Sequence, residues 1–242
     1  MKTRDGLNGH GRYYIYDETN QKAYPSVTTV ISEMSDKSGL VAWKKRVGEK
    51  EAERTSTFSA NRGTFMHALQ ENYLDALFDT KTEQPLVEAF KLSKDQNPKL
   101  TKEEMACGKD LFFNFVNKTN FYERIQNIKY SEVAVWSNKG GGYAGRMDLV
   151  IEDVDDKCVI IDFKTSKKPK RESWIDGYKM QMAAYSVALY ERTGSFPDEG
   201  QIWISCETGE VQNFLMTSRD IRHWFREFIK LVNKYHEKYP VN

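Results

Sequence analysis

Two short apolar segments separated by a polar stretch constrain the fold of this chain most strongly. They span residues 143–151 and 157–165, and residues 152–156 between them are polar. Apolar runs of this length are typical of buried strands, and the polar stretch is typical of a turn. The sequence therefore predicts an antiparallel hairpin in the interior of the protein.

The register of this hairpin brings charged side chains together. If the turn is centred on Asp155, Asp148 and Asp162 lie directly opposite each other. Side chains at directly opposed positions have Cβ atoms roughly 4.5–5.5 Å apart. Lys164 follows Asp162 by two residues, so the alternation of a strand places both on the same face. Two carboxylates and a lysine are therefore predicted to converge.

The convergence of these charges predicts a metal site. Two ionised carboxylates in a partly buried place repel each other, and this raises the pKa of one of them. A divalent cation removes the conflict, and oxygen ligands suit Mg²⁺ or Mn²⁺, which also bind phosphate oxygens. We therefore predict metal-dependent phosphodiester hydrolysis in which Lys164 orients or deprotonates the attacking water. The alternative, a solvated hairpin with incidental charges, is disfavoured because unpaired charges are rarely buried.

Several motifs occur in a fixed order around the hairpin. They are Gly63-x-x-x-His67, Gly145-Arg146-x-Asp148, Ile161-Asp162-Phe163-Lys164-Thr165 and Gln181-x-x-x-Tyr185. In this order they resemble the PD-(D/E)XK nuclease superfamily in its RecB-type branch. Three more motifs resemble most the mitochondrial genome maintenance exonucleases and their phage relatives: Tyr24-Pro25-Ser26-Val27-Thr28, Gly142-Tyr143-x-Gly145 and Lys164-Thr165-Ser166-x-Lys168-Pro169-Lys170. The resemblance covers most of the chain.

The resemblance implies an α/β fold. Its centre would be a PD-(D/E)XK restriction-endonuclease-like core, with a mixed central sheet flanked by helices and a mainly helical N-terminal half. We expect one nuclease domain over residues 1–242. Within it, residues 1–119 would form an N-terminal hairpin and a helical roof that carries His67, and residues 120–242 would form the catalytic α/β core.

The resemblance also implies the metal ligands. Asp148, Asp162 and the backbone carbonyl of Phe163 would bind the metal, with His67 as a further ligand or close neighbour. Glu132 occupies the place of an upstream acid that the branch often carries, and it is a candidate catalytic residue together with the two aspartates. Alternatively, His67 is a surface or core histidine and Glu132 a charge at a strand edge.

Other motif residues are implied to act around the metal. Lys164 would be the catalytic lysine. Gln181 and Tyr185, whose four-residue spacing places them on one helix face, would support the lysine and the nucleic-acid backbone. Tyr185 could also simply pack in the core.

A local basic segment is the candidate surface for nucleic acid. The net charge of the chain is only +1, so any attraction to DNA must be local. Basic residues crowd the segment after the catalytic strand, at Lys167, Lys168, Lys170 and Arg171. With Arg146, they are predicted to bind the phosphate backbone.

Cysteine content and apolar runs bear on cofactors and location. Cys107, Cys158 and Cys206 are widely spaced, so we expect reduced thiols and no iron–sulfur cluster. No apolar run reaches the length of a membrane span, and the first eleven residues lack the apolar stretch of a signal peptide. We expect a cytoplasmic protein of a bacterium or a phage-infected cell, without membrane partners; a mature mitochondrial form is less favoured.

Local patterns predict the remaining elements. A hairpin is expected over residues 12–24 with its turn at Asp17-Glu18-Thr19-Asn20, followed by a short helix capped by Ser26 or Thr28. Further helices are expected over 41–54, 62–78, 102–117 and 174–192, and a last helix is expected to be capped by Ser218. Strands are expected within 122–164, 200–206 and 211–215. Residues 80–100 are predicted to be a mobile excursion near the substrate path.

These features together predict a metal-dependent DNA exonuclease. Its substrate would be single-stranded DNA or DNA ends, in replication, repair or recombination, with proteins of those processes as potential partners. One alternative is a restriction-type or structure-specific endonuclease. The other is a non-catalytic DNA-binding recombination accessory protein, which the intact Asp148, Asp162 and Lys164 disfavour.

Overall fold

The computed structural model describes residues 2–5, 11–17 and 22–240 of the chain. Their strands are β1 (Lys2–Asp5), β2 (Arg12–Asp17), β3 (Lys22–Pro25), β4 (Ile125–Ser137), β5 (Tyr143–Asp153), β6 (Cys158–Ser166), β7 (Glu199–Cys206) and β8 (Val211–Thr217). Their α-helices are α1 (Val27–Met34), α2 (Ser38–Val47), α3 (Glu49–Leu74), α4 (Pro85–Gln96), α5 (Lys102–Lys118), α6 (Asp176–Thr193) and α7 (Ser218–Lys238). Within the part of the chain so described, none of the helices is long and apolar enough to cross a membrane.

Five strands form a mixed sheet in the order β4-β5-β6-β7-β8. β6 and β7 are parallel, and the other neighbours are antiparallel. A parallel pair needs a crossover connection, which α6 supplies between β6 and β7. The predicted fold class, an α/β core with a mixed sheet and flanking helices, is confirmed.

Both faces of the central strands are buried. Ile160 packs in a core formed with α1, α6 and α7. Its neighbour Ile161 points the other way, into a core formed with α3 and α5 that includes Phe65 and Phe115. Strands covered on both faces need apolar residues at successive positions, which explains the continuous apolar runs of β5 and β6.

The N-terminal strands form a separate three-stranded antiparallel sheet in the order β1-β2-β3. β2 and β3 confirm the predicted hairpin, although the turn residues Glu18, Thr19 and Asn20 lie outside the described residues. The buried hydroxyls of Tyr13 and Tyr235 lie 2.9 Å apart and attach this sheet to α7. Ser26 caps α1 by accepting a hydrogen bond from the Thr29 backbone N–H, as predicted.

The boundaries predicted for the N-terminal helices are wrong. One helix was expected over 41–54 and another over 62–78, but the break lies at Gly48, and α3 continues for 26 residues. Gly48 has φ +86°, a backbone conformation that favours glycine and ends α2. Residues 55–61, which the two predicted helices leave out, are mainly polar and belong to α3, because a helix tolerates a polar stretch where one face meets solvent.

Residues 80–100 are largely helical rather than an irregular loop; their end at Gln96 and Asn97 lines the cleft described below, and their mobility stays a prediction. α4 packs against α3, where Asn72 Nδ2 donates hydrogen bonds of 2.9 Å to both Ser93 Oγ and Gln96 Oε1. Pro85 occupies the first helical position, where its missing N–H costs nothing. Proline is common in loops, but here Pro85 begins the helix and Pro98 lies two residues past its end.

Three smaller boundaries also differ. The hairpin turn is shorter than predicted, because β5 continues to Asp153. Residues 122–124, expected in the sheet, form a 3₁₀ turn before β4. The cap of α7 is Thr217 rather than Ser218: the Thr217 hydroxyl accepts from the Asp220 N–H, and the Asp220 carboxylate accepts from the Thr217 N–H. This reciprocal pair satisfies two backbone donors at the helix start.

Candidate active site

Asp148 and Asp162 face each other across β5 and β6. The strands pair as far as Leu149 opposite Ile161, and the next position in the same register sets Asp148 opposite Asp162. There Asp148 Oδ2 accepts a hydrogen bond of 2.8 Å from the Phe163 backbone N–H. The Asp148 carboxylate thus accepts a hydrogen bond from a backbone N–H in place of a backbone carbonyl of the sheet. This hydrogen bond orients the carboxylate.

Glu132 extends this pair into a row of three acids. It lies on β4 between Ser131, which pairs with Leu149, and Val133, which pairs with Met147, so the register sets it beside Asp148. Its φ is +52°, a region that non-glycine residues rarely adopt. Three neighbouring strands, β4, β5 and β6, therefore carry one acid each at adjacent positions: Glu132, Asp148 and Asp162.

His67 reaches the row from α3. Its Nδ1 lies 3.5 Å from Asp148 Oδ2. His67, Glu132 and Asp148 each offer one ligand atom, and these atoms all lie within 4.8 Å of one another. Gly63, one turn earlier on α3, faces Thr165 of β6, and a Cβ there would make an ordinary van der Waals contact of 3.4 Å with Thr165 Oγ1. This packing of α3 against β6 brings His67 over the sheet.

Asp162 holds Lys164 and is itself held by Gln181. Lys164 Nζ donates to Asp162 Oδ1 at 2.7 Å, and Gln181 Nε2 donates to the same oxygen at 3.1 Å. The Lys164 ammonium also lies 5.3 Å from the centre of the Tyr178 ring, a cation–π distance. The lysine and its carboxylate therefore hold each other, and Gln181 and Tyr178 help to fix the pair.

Tyr185 packs against the strand that carries Asp148. A Cβ at Gly145 would lie 2.4 Å from Tyr185 Cε1, so only glycine allows this approach. The Tyr185 hydroxyl lies 3.5 Å from Gln181 Nε2, and the residue is only 5% exposed. Tyr185 is therefore both a core residue and a neighbour of the Gln181 amide, whereas any contact with nucleic acid stays a prediction.

Burial and like charge raise the pKa values of the acids. For Glu132, burial and then the negative charge of Asp148 raise the pKa to about 8, against the opposing effect of Arg146. Burial also raises the pKa of Asp162, opposed by Lys164 and reinforced by Asp148. Burial by itself would lower the pKa of Lys164, but Asp162 and Asp148 outweigh it and raise the pKa. With all three acids ionised, the row would carry more negative charge than its surroundings neutralise.

The donor set fits a divalent cation. Carboxylate oxygens and one imidazole nitrogen are ligands that Mn²⁺ accepts, and Mg²⁺ accepts the oxygens. Asp162 Oδ2 is buried and accepts no hydrogen bond within the described residues. It lies 2.6 Å from Lys164 Nζ, but this ion-pair contact lacks hydrogen-bond geometry. A cation would supply the partner that this oxygen lacks and would offset the charge of the row.

Glu132 and Asp148 of the row line a cleft of about 640 Å³. Its walls come from α1, α3, α6, the N-terminal sheet, the end of α4 and the central sheet. Of the predicted residues, the cleft is lined by His67, Glu132, Arg146, Asp148, Lys164, Gln181 and Tyr185. Asp162 is buried beneath Lys164, and the Phe163 ring lies in the core beside α3 and α5. The Phe163 carbonyl as a ligand therefore stays a prediction.

Some residues that line the cleft were not predicted from the sequence. They come from parts of the chain far from the hairpin: Arg12, Tyr14, Ser59, Thr64, Gln96 and Asn97. No short-range motif marks them, because tertiary packing alone brings them to the cleft. Ser26 and Thr28, which also line it, do belong to a motif quoted above.

The basic residues lie at two places around the cleft. Arg146 is at its rim, where Nε donates to the Glu132 backbone carbonyl at 2.8 Å and lies 2.7 Å from Glu132 Oε2. Lys167, Lys168 and Lys170 line a neighbouring cavity of about 400 Å³, which shares Ser59 and Thr165 with the cleft. The structure thus brings the basic segment next to the acid row, but not onto it.

Comparison with known proteins places the chain in a family. Two crystal structures are similar to it, each at 17% sequence identity. One, from Eubacterium rectale and described as a "Putative exonuclease", has a TM-score of 0.45 over 70% of this chain and 68% of the other. The other, of SSO0001, has a TM-score of 0.33 over 73% of this chain and 79% of the other. No curated protein matches. The model of the PD-(D/E)XK nuclease superfamily matches residues 41–242, and the chain belongs to that superfamily.

Membership defines the general chemistry. Nucleases of this superfamily use divalent metal ions and act on DNA. The acid row and Lys164 lie within the matched residues 41–242, and the roles of Asp148, Asp162 and Lys164 stay predictions. The RecB-type branch and the closer resemblance to mitochondrial and phage exonucleases stay predictions.

Proposed function

We propose that this protein is a metal-dependent DNA exonuclease that acts on single-stranded DNA or DNA ends, in replication, repair or recombination. The observation that carries the proposal is the row of Glu132, Asp148 and Asp162 beside Lys164, set in a cleft beneath α3. An acid row with a neighbouring lysine is the arrangement that phosphodiester hydrolysis needs.

Four side chains and one carbonyl are the proposed metal ligands. His67, Glu132 and Asp148 offer clustered ligand atoms, and Asp162 adds a buried oxygen that lacks a hydrogen bond. The Phe163 carbonyl would complete the set. A bound divalent ion polarises the scissile phosphate and lowers the pKa of a coordinated water.

Lys164 is the proposed catalytic residue. Asp162 fixes its ammonium at 2.6 and 2.7 Å from the two carboxylate oxygens, and Gln181 fixes Asp162 in turn. From this position the ammonium can donate a hydrogen bond to the attacking water or to a non-bridging phosphate oxygen. Such preorganised donors stabilise the charge that develops on the phosphate.

The shape of the cleft supports a single strand as substrate. Residues of α3 and of the N-terminal sheet line it opposite the central sheet, so a substrate must enter between these walls. A volume of about 640 Å³ is within the range of sites that hold one drug-sized ligand. It therefore suits one or two nucleotides of an unpaired strand better than a turn of duplex.

A digestion assay tests the metal and the role of Asp162. We expect hydrolysis of end-labelled linear single strands to stop in excess chelator and to return with Mg²⁺ or Mn²⁺. Asp162→Asn should reduce the rate by orders of magnitude, because it keeps the shape and removes the charge that holds the ion. Asp155→Asn is the matched control: this acid lies in the turn of the same hairpin, is exposed, and should leave the rate unchanged. Full activity in chelator contradicts the mechanism.

The same assay separates the alternative functions. An enzyme that acts on ends should degrade linear single strands much faster than linear duplexes or closed single-stranded circles. Rapid nicking of closed circles would indicate an endonuclease instead. A protein that binds DNA but cleaves none of these substrates with either metal would indicate a non-catalytic accessory protein.

A further inference from the structure

Trp174 is an exposed aromatic residue beside the candidate active site. It ends a 3₁₀ turn, Glu172–Trp174, that precedes α6. Its exposed fraction is 61%, although tryptophan is highly buried on average. The Arg171 guanidinium lies 5.2 Å from the centre of the indole ring, so a cation is already placed against the aromatic system.

The cavity next to Trp174 continues from the active-site cleft. It measures about 400 Å³ and is lined by Trp174, by Lys167, Lys168 and Lys170 of the basic segment, and by Arg62, Ser59 and Thr165. The last two residues also line the cleft, so the two spaces are neighbours beneath α3. Thr165 directly follows Lys164 along β6. A strand whose phosphate lies at Lys164 would therefore reach Trp174 within a few nucleotides.

The basic segment in this cavity is held in place. Lys170 is fixed to β8 by two hydrogen bonds with Gln212: its N–H donates to Oε1 at 2.7 Å, and its carbonyl accepts from Nε2 at 3.0 Å. Ser166 Oγ donates to the Lys168 carbonyl at 2.7 Å. The loop is thus ordered before any ligand binds, which reduces the entropy lost on binding.

The charges around Trp174 favour an anionic polymer. Lys167 and Lys168 are exposed, and Arg171 is exposed beside the ring. The nearby acids have partners: Glu172 accepts from Lys179 at 2.9 Å, and Glu207 is paired with the buried Arg62. Glu51 of α3 also interacts electrostatically with Lys167. A positive path beside an exposed indole is the combination that binds single-stranded nucleic acid, because phosphates follow the charges and bases stack on the ring.

We propose that Trp174 is a stacking platform for an unpaired nucleobase, next to the cavity that the basic segment lines. The proposal extends the proposed function, since it places the substrate strand along one path from Lys164 past Thr165 to Trp174. Stacking needs a base that is free of its complement. Trp174 therefore favours single strands over duplex, and it does so without reading sequence, because every base has a π-face.

Binding in chelator tests this without cleavage. We would measure the affinity of labelled oligothymidylate and of an abasic oligonucleotide of equal length, which has the phosphates but no bases. Trp174→Leu should weaken oligothymidylate binding roughly five- to hundredfold, the range for loss of one stacked base, and should leave abasic binding unchanged. Trp174→Phe should fall between. Tyr190→Leu is the control, because this exposed tyrosine lies on α6 roughly 21 Å along the helix from its start.

The outcomes separate the two proposals. Equal losses for both oligonucleotides, or no loss for either, would overturn the stacking role of Trp174. If Trp174→Leu does not fold, tryptophan fluorescence of the wild type provides a second test. Quenching by oligothymidylate but not by the abasic strand, with less quenching in Trp174→Phe, would support the stacking role. Equal quenching by both strands would overturn it. A wild-type protein that binds bases in this way but cleaves no DNA would refute the nuclease function and leave the stacking role intact.

Discussion

Replacing Glu132 by glutamine should stabilise the metal-free protein at alkaline pH. Glu132 lies in a row with Asp148 and Asp162, and burial together with Asp148 raises its pKa to about 8. Its ionised form is therefore unfavourable when no cation is bound. Glutamine has nearly the same shape and side-chain length and can still form hydrogen bonds, but it carries no charge.

The size and sign of the effect follow from the pKa. The ordinary value is 4.5, so a folded value of about 8 corresponds to about 5 kcal/mol at about 1.4 kcal/mol for each tenfold change in the acid constant. Solvent screening at a side chain that is 19% exposed reduces the expected difference to about 2–4 kcal/mol. Because the folded pKa is raised, the contribution of Glu132 to stability is fully present below pH 4.5 and is lost as the pH rises through about 8.

Urea unfolding in chelator, across pH 5 to 9, measures this difference. Glu132→Gln and the wild type should have similar free energies of unfolding near pH 5, and the variant should gain progressively above it. Glu71→Gln is the matched control, since Glu71 also neighbours Arg146 but is 43% exposed, and it should change stability little at any pH. Mn²⁺ should then raise the unfolding temperature of the wild type more than that of Glu132→Gln.

The opposite order would refute the reasoning. If Glu132→Gln were less stable than the wild type at pH 9 in chelator, the Glu132–Arg146 ion pair would outweigh the repulsion within the row. Equal stabilisation of both proteins by Mn²⁺ would remove Glu132 from the proposed ligands.

Three further changes probe Lys164, the proposed catalytic residue, and the packing elsewhere in the protein. Lys164→Ala should abolish cleavage yet keep DNA affinity within about tenfold in a binding titration, because phosphate contacts are spread over the basic segment; cleavage at the parent's rate would show that Lys164 is not catalytic. Gly145→Ala should cost about 1–3 kcal/mol in urea unfolding, since its Cβ would lie 2.4 Å from Tyr185 Cε1, and an unchanged midpoint would contradict this packing. Tyr235→Phe leaves the buried Tyr13 hydroxyl without its partner and should cost about 1–2 kcal/mol, measured in the same way; a loss below 0.5 kcal/mol would mean that water replaces the bond.

The hairpin shows how much a local pattern can predict. The strand period of two and the length of the turn were enough to set Asp148 opposite Asp162 and Lys164 on the same face. The sequence of α7 likewise carries apolar residues at helical spacing, and Ile221, Phe228 and Val232 among them are buried. Such features depend on residues close together in the chain, so their spacing carries the information.

Other features could not be predicted, because they depend on contacts between distant parts of the chain. Whether residues 55–61 form a loop or continue a helix depends on what packs against their two ends, and intrinsic propensity is a weak guide there. The cap of α7 is a different case, because Asp220 follows Thr217 by three residues and completes the reciprocal hydrogen bonds, a local spacing that the sequence does display. The backbone of Glu132, at φ +52°, leaves no mark in the sequence.

The sequence by itself determined which charged groups meet at the candidate active site: two aspartates, a lysine and the strands that carry them, because neighbours in a hairpin meet through local spacing alone. Only the tertiary structure decided what surrounds them. Glu132 joins the row through pairing with β5, and α3 and the N-terminal sheet form the walls of the cleft through contacts between distant segments. Those contacts depend on how whole elements pack into shared cores, and no residue spacing encodes that packing.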